Sequence, residues 1–227
     1  MITERLAQLQ SDIAKISEQN SQTRPLLLAV SKCQPVARIR EAVAAGQYHF
    51  GENYLQEAID KQAIISNANI VWHYIGAIQS NKTKKIAAHF DWVHTVSDIK
   101  TAKRLSGQRP EGQPALQICL QINIDNEASK AGILPDKAAI LTVVKAVSAL
   151  PNIQLRGLMC IPAPKTTPEA ERATFEQMQA LLGWLQSEGY PLDTLSMGMS
   201  DDMASAIACG ATIVRVGTAI FGARSAA

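Results

Sequence analysis

The chain has 227 residues, of which 47% are hydrophobic and 19% charged, so its composition is that of a globular protein and excludes a disordered or fibrous one. A formal net charge of +2 gives no general reason to expect a nucleic acid or a membrane surface as a partner. Its four cysteines form no CxxC pair and have no zinc-ligand spacing, which favours buried free thiols in a reducing compartment.

The N-terminal segment, residues 1–17, has apolar residues at helical spacing that are interrupted by charges. This pattern predicts an amphipathic helix and differs from the continuous apolar centre of a signal peptide. No stretch of the chain approaches the roughly 20 apolar residues that span a bilayer. We therefore expect a soluble, cytoplasmic monomer in which residues 1–227 form a single domain.

Eight short apolar runs then alternate with longer amphipathic segments. Such alternation predicts βαβ units and a parallel sheet whose strands are buried on both faces. Eight strands fit a closed (β/α)8 barrel with short loops, while an open doubly wound sheet is the competing architecture, although no GxGxxG motif follows the first run. The runs are residues 25–30, 48–50, 70–76, 91–96, 115–123, 154–161, 192–198 and 212–217.

Lys32 follows the first run directly. In a barrel of this kind, chemistry belongs at the carboxyl ends of the strands, where a lysine amine can form a Schiff base with a carbonyl compound. By position alone, a solvated loop lysine is the more common outcome. The assignment of Lys32 therefore depends on the other residues that the barrel would bring to the same end.

Polar residues also follow the second and third runs. Glu52 and Asn53 come just after the second run, at the expected end of the strand, where Asn53 is a candidate helix N-cap or ligand contact. His73 lies inside the third run, and a histidine at such a position is more often a hydrogen-bonded core residue than a catalyst. The three lysines within residues 82–85 predict a solvated helix face and not a nucleic-acid patch, because no aromatic residues alternate with them.

The segments after the seventh and eighth runs offer an anion site. Ser200, with two aspartates after it, has the pattern of a helix N-cap, but a serine at a helix N-terminus can also donate to a phosphate. Gly217 and Thr218 follow the eighth run, where barrels of this kind often bind phosphate, although a tight glycine turn is as common. Both interpretations remain open at each place.

Arg215 lies within the eighth run and alternates with Val214 and Val216. In a barrel its side chain would therefore point inward while the two valines pack outward. A buried guanidinium needs a partner. Asp201, Glu52 or an acceptor atom of a ligand are the candidates.

Seven sequence blocks in order cover nearly the whole chain: AVSKCQP, HFGENYLQE, WHYIGAIQSNKTKK, INIDNEASKAG, GLMCIPAP, LSMGMSDDM and RVGTAIFGAR. These blocks resemble the successive motifs of the pyridoxal phosphate homeostasis protein family. That family is similar to the barrel domain of alanine racemase. The resemblance implies a barrel that holds pyridoxal 5'-phosphate (PLP) as a Schiff base on Lys32, the lysine of the AVSK motif.

The same resemblance implies roles for five further residues. Ser200, Gly217 and Thr218 correspond to phosphate-binding positions. Arg215 corresponds to the arginine that faces the pyridine nitrogen, and Asn53 lies near the cofactor. Lys130, in the EASKAG block, is retained, and whether it holds a second PLP molecule is left open.

An arginine at the pyridine nitrogen separates cofactor binding from catalysis. PLP is an effective electron sink mainly when that nitrogen is protonated, whereas an arginine stays charged and can only donate. The motifs thus imply a carrier, without a catalytic residue or a metal, that buffers PLP and delivers it through transient contacts with apoenzymes. The alternatives are a PLP-dependent amino-acid racemase, whose second domain we do not expect here, and a class I aldolase that uses Lys32 on a sugar phosphate.

Overall fold

The computed structural model describes residues 1–66, 69–127 and 130–222, and the strands within them form a closed, all-parallel barrel in chain order. The last strand pairs with the first, with Arg215 opposite Leu28, which closes the sheet and excludes the open doubly wound alternative. Each of the eight predicted runs overlaps one strand, although β2 extends two residues beyond its run and β6 begins one residue before its run. The strands are β1 (Leu26–Val30), β2 (His49–Glu52), β3 (Val71–Tyr74), β4 (Trp92–Val96), β5 (Leu116–Ile122), β6 (Ile153–Cys160), β7 (Thr194–Ser196) and β8 (Ile213–Val216).

Helices connect the strands and surround the barrel, and one further helix precedes the first strand, as predicted. None of the helices in the described ranges is both long and apolar enough to cross a membrane. The short final helix and the helix after β4 were not predicted. The helices are α1 (Ile2–Gln19), α2 (Val36–Ala44), α3 (Leu55–Ile64), α4 (Thr83–His89), α5 (Ile99–Gln108), α6 (Lys137–Ser148), α7 (Pro168–Ser187), α8 (Met203–Ala208) and α9 (Thr218–Phe221).

The strand residues alternate between two environments, as the period of two requires. On β8, Val214 and Val216 pack outward into the hydrophobic core between strands and helices, while Arg215 reaches a cleft at the carboxyl end of the barrel. On β3, Trp72 and Tyr74 belong to that same core, and His73 between them is fully buried. The outer faces of the strands are therefore apolar, whereas the barrel interior holds several polar side chains.

At Ser200 and Asn53, where the sequence left a helix cap and a ligand contact open, the structure excludes the cap. Helix α8 begins at Met203 with Asp202 at its N-cap position, and the Asp202 carboxylate accepts a hydrogen bond from the Met199 amide at 2.6 Å across a turn that includes Ser200. Helix α3 begins after Tyr54, so Asn53 lies one residue before the cap. Both residues are thus free of a capping role.

The cysteines mostly match the prediction of buried thiols. Cys119, Cys160 and Cys209 are buried and free, but Cys33 is exposed, because it lies in the turn that leaves β1. The lysines of residues 82–85 are exposed around the start of α4, which agrees with a solvated helix face.

Candidate functional site

A cleft of about 200 Å³ lies at the carboxyl ends of the strands and brings together the six residues that the sequence predicted for the site. The loops after β1, β2, β7 and β8 supply most of its polar groups, and side chains from β1 and β6 add apolar walls. The polar lining consists of Lys32, Asn53, Ser200, Arg215, Gly217 and Thr218; the apolar lining consists of Val30, Ile75, Met159, Ile161 and Met199.

Lys32 is half-buried in the turn that follows β1. Within the part of the chain that the structure describes, its amine has neither a hydrogen-bond nor an ion-pair partner. The next residue, Cys33, adopts a left-handed backbone conformation with φ of 58°. The turn thus holds a lysine at the cleft while leaving its amine available to a ligand.

A buried ionic network holds this turn on both sides. The Lys61 ammonium donates to the Ser31 carbonyl and to Glu52 Oε1, each at 2.7 Å, and pairs with Glu57 Oε1 at 2.6 Å. The Ser31 hydroxyl donates to the same Glu52 oxygen, and the Cys33 amide donates to Glu57, each at 2.6 Å. Burial raises the pKa of the Glu52 carboxyl, an effect that Lys61 partly offsets. Sequence patterns do not predict this network, because the contacts of Lys61 with Ser31 and Glu52 form only when α3 packs against the ends of β1 and β2.

Asn53 contributes a buried acceptor. Its Oδ1 atom has no hydrogen-bond partner among the described residues. Leaving a buried acceptor unpaired costs about 1–3 kcal/mol, so the atom fits a ligand that brings an N–H or O–H group. Its backbone position is fixed by Gly76, where an added Cβ would lie 2.1 Å from the Asn53 carbonyl oxygen.

Arg215 is only 5% exposed, and backbone oxygens supply most of its partners. Its Nη1 donates to the carbonyl and the hydroxyl of Ser196 at 2.6 and 2.9 Å, and its Nη2 donates to the Cys160 carbonyl at 2.9 Å. The predicted partner Glu52 is wrong, because it binds Lys61, and so is Asp201, which is exposed. Burial lowers the pKa of the guanidinium, which as an arginine nevertheless stays protonated.

Three residues on two loops form the predicted anion-binding side of the cleft. Gly217 precedes Thr218, the first residue of α9, and the first backbone N–H groups of a helix have no partner within it. An added Cβ on Gly217 would lie 3.2 Å from the Val30 carbonyl oxygen, so the backbone runs close to β1 here. Ser200 is exposed on the loop after β7 and lines the same cleft.

His73 does not line the cleft, and its predicted role as a hydrogen-bonded core residue is confirmed. Its two ring nitrogens bond to His49 and His94 at 3.0 and 2.9 Å. These two partners come from the neighbouring strands β2 and β4, and sequence patterns alone do not predict them. Among the described residues, no group of three or more histidine, cysteine or carboxylate side chains is arranged to hold a metal ion.

Comparisons with known proteins agree on the family of the chain. The family model of the alanine racemase N-terminal domain matches residues 5–225. The pyridoxal phosphate homeostasis protein of Pseudomonas aeruginosa is 56% identical over 87% of this chain and 84% of its own length. The protein of the same name from Escherichia coli K12 is 45% identical over 98% of this chain and 97% of its own.

Solved structures agree on the fold. PipY of Synechococcus elongatus PCC7942, solved with PLP bound, is 41% identical and superposes with a TM-score of 0.85 over 98% of this chain and all of its own. Alanine racemase of Corynebacterium glutamicum is 16% identical and has a TM-score of 0.71 over 98% of this chain and 61% of its own. At that identity, the second likeness concerns the fold alone.

Proposed function

The chain belongs to the pyridoxal phosphate homeostasis protein family, and we propose that it binds PLP in the cleft as a single-domain carrier that buffers and delivers the cofactor. The proposal places the protein in the cytoplasm as a monomer, without catalytic turnover of its own. One observation carries it: a lysine amine without a partner, an unpaired buried acceptor and a buried guanidinium line one cleft.

The residues present fit the functional groups of PLP, which are an aldehyde, a phenolic hydroxyl, a pyridine nitrogen and a phosphate. Lys32 offers an amine for the aldehyde, and Asn53 Oδ1 offers an acceptor that the chain itself leaves unused. Ser200, Gly217 and Thr218 offer a hydroxyl pair and a helix start for the phosphate.

Lys32 would hold the cofactor as a Schiff base. The neutral ε-amine adds to the aldehyde carbon, a C=N bond forms, and one water molecule leaves. The reaction is reversible with water, so the bond retains the cofactor and still permits its release. A carrier needs both properties.

Arg215 gives the reason to expect a carrier and not an enzyme. Bound PLP supplies an electron sink to the extent that its ring nitrogen is protonated. The Arg215 guanidinium lines the cleft, holds its proton and only donates, so it keeps a facing nitrogen unprotonated. No carboxylate among the described residues pairs with this guanidinium.

Titration of the purified full-length chain with PLP tests the proposal. We expect a saturable visible absorbance band that is absent in Lys32→Ala and unchanged in Lys15→Ala, a matched exposed lysine on α1. An identical band in Lys32→Ala, or none in the wild type, would contradict the proposal. Borohydride trapping with a sugar phosphate but not with PLP would instead favour the aldolase alternative.

Delivery and the lack of turnover need their own assays. Holo-protein mixed with a PLP-requiring apoenzyme should restore that enzyme's activity in stoichiometric proportion to the bound cofactor. An apoenzyme that stays inactive would contradict delivery. Turnover of a single amino-acid enantiomer well above that of free PLP would contradict a carrier and favour the racemase.

A further inference from the structure

A continuous chain of hydrogen-bonded side chains crosses the barrel interior and ends at Arg215. His49 Nδ1 lies 3.0 Å from His73 Nε2, and His73 Nδ1 lies 2.9 Å from His94 Nε2. His94 Nδ1 lies 2.8 Å from Ser196 Oγ, which also accepts from Arg215 Nη1 at 2.9 Å. The five residues lie on β2, β3, β4, β7 and β8, so the chain links strands on opposite sides of the barrel.

In this chain of hydrogen-bonded side chains, every residue except His49 is shielded from water. His73, His94 and Ser196 have no exposed surface, and Arg215 has 5%. His49, at the start of β2, is half-buried. Buried polar groups must satisfy one another, so the positions of the protons along the chain are constrained.

The chemistry of Arg215 fixes the direction of every bond. An arginine can only donate, so Ser196 Oγ accepts from it. Within the described residues, the Ser196 hydroxyl has one acceptor for its own hydrogen, His94 Nδ1. Burial and the charge of Arg215 lower the pKa of His94 to about 3, so His94 is neutral and carries its hydrogen on Nε2.

The same logic extends to the other two histidines. His94 Nε2–H donates to His73 Nδ1, which leaves the His73 hydrogen on Nε2. His73 Nε2–H then donates to His49 Nδ1, so His49 also carries its hydrogen on Nε2. Burial holds the pKa of His73 well below its ordinary value and lowers that of His49, which keeps both rings neutral.

We propose that Ser196, His94, His73 and His49 form a hydrogen-bonded relay with a fixed direction that holds the Arg215 guanidinium in place at the cleft, where its remaining N–H groups are left for the ligand. They are positioning residues, because none of them lines the cleft. The effect on PLP rests on the proposed function, whereas the order of the protons does not.

The proton order is testable on the wild-type chain with ¹⁵N-labelled histidine. NMR of the full-length protein near neutral pH should show His49, His73 and His94 as neutral Nε2–H tautomers, with and without PLP. Assignment follows from the signal lost in each histidine-to-glutamine variant. An Nδ1–H tautomer or a charged ring at His94 would overturn the relay even if PLP binds as proposed.

The positioning role is testable at Ser196. We expect Ser196→Ala to weaken PLP binding about tenfold, as for the loss of one charge-assisted hydrogen bond, and to shift the pH at which the visible band changes. Ser196→Thr, which keeps the hydroxyl, should restore the band and most of the affinity. Wild-type affinity and an unchanged band in Ser196→Ala would overturn the proposal, and absence of the band from the wild type would instead contradict PLP binding itself.

Discussion

Lys32 and Arg215 line the same cleft, but the protein uses their hydrogen-bonding groups very differently. The Lys32 amine has no partner among the described residues, whereas Arg215 makes three bonds to Ser196 and Cys160. An unbonded amine can react, while a bonded guanidinium keeps a fixed position. This contrast matches a covalent anchor at one end of a cofactor and a fixed donor at the other.

Gly76 lies in close contact with the backbone of Asn53. Its backbone approaches Asn53 so closely that an alanine Cβ would lie 2.1 Å from the Asn53 carbonyl oxygen. We expect Gly76→Ala to displace the Asn53 turn, weaken PLP binding at least tenfold and lower the free energy of unfolding by about 2–3 kcal/mol. Absorbance titration and urea unfolding measure the two effects.

Gly107 on α5 provides the matched control for that substitution. An added Cβ there meets nothing within 4 Å, so Gly107→Ala should leave PLP binding unchanged and stabilise the helix by about 0.5–1 kcal/mol. If the two glycine variants lose PLP affinity equally, the close approach at Gly76 does not explain the effect.

At the scale of elements, one ion network joins β1, β2 and α3. Glu52 at the end of β2 is fully buried, and its partner Lys61 on α3 is 6% exposed at the side chain. Because Lys61 also bonds the Ser31 carbonyl, the helix fixes the turn that carries Lys32. The position of Lys32 therefore depends on a helix that does not itself line the cleft.

The network predicts a large cost for removing its cation. Lys61→Met would leave the Glu52 carboxylate buried without its charge partner, which typically costs about 3–5 kcal/mol of the free energy of unfolding. The double variant Lys61→Met, Glu52→Gln should recover most of that loss, since no fully buried charge is then left unpaired and Glu57 is partly exposed to solvent. Urea unfolding measures both, with Lys85→Met on the exposed face of α4 as the control. If the free energy of unfolding of Lys61→Met lies within about 0.5 kcal/mol of that of Lys85→Met, the ion network does not stabilise the fold as proposed.

At the scale of the whole molecule, the barrel could be predicted from the sequence because its strands are continuous apolar runs. The run at 25–30 is an example, of which β1 occupies Leu26–Val30. Helix α5 could not be predicted in this way, because it buries only Ala102, Leu105 and Ser106 and its apolar stripe is narrow.

The cleft residues were predictable from the motifs, but their partners inside the barrel were not. His94 and Ser196 are separated by 102 residues, and only the closure of the sheet brings them together. Likewise, the sequence suggested a carboxylate for Arg215, whereas backbone carbonyls and one hydroxyl satisfy it. Such contacts depend on how the strands pair in the closed sheet, and they produce no periodic pattern in the sequence.

The buried histidines also predict how the stability of the whole molecule depends on pH. An unfolded histidine titrates near pH 6.5, whereas the pKa of folded His94 is lowered to about 3. Below about pH 6.5 the unfolded state binds a proton that the folded state does not, so His94 alone removes about 1.4 kcal/mol of unfolding free energy per pH unit. This loss continues until the pH approaches 3.

Urea unfolding between pH 7.5 and 5 checks this prediction. The wild type should lose stability as the pH falls, and His94→Gln should show a slope smaller by about 1.4 kcal/mol per pH unit below pH 6. Comparing the two slopes removes the contribution of Glu52 and Asp202, whose raised pKa values act in the opposite direction. Identical slopes would mean that His94 is not held neutral in the folded state.

In the proposed carrier, one lysine holds the cofactor. Borohydride reduction of the PLP-loaded full-length chain, followed by peptide mass mapping, identifies that lysine. We expect one phosphopyridoxyl group per chain, on the peptide that contains Lys32, and none at that peptide in Lys32→Ala. An adduct on Lys130 or spread over surface lysines, with Lys32 unmodified, would contradict it.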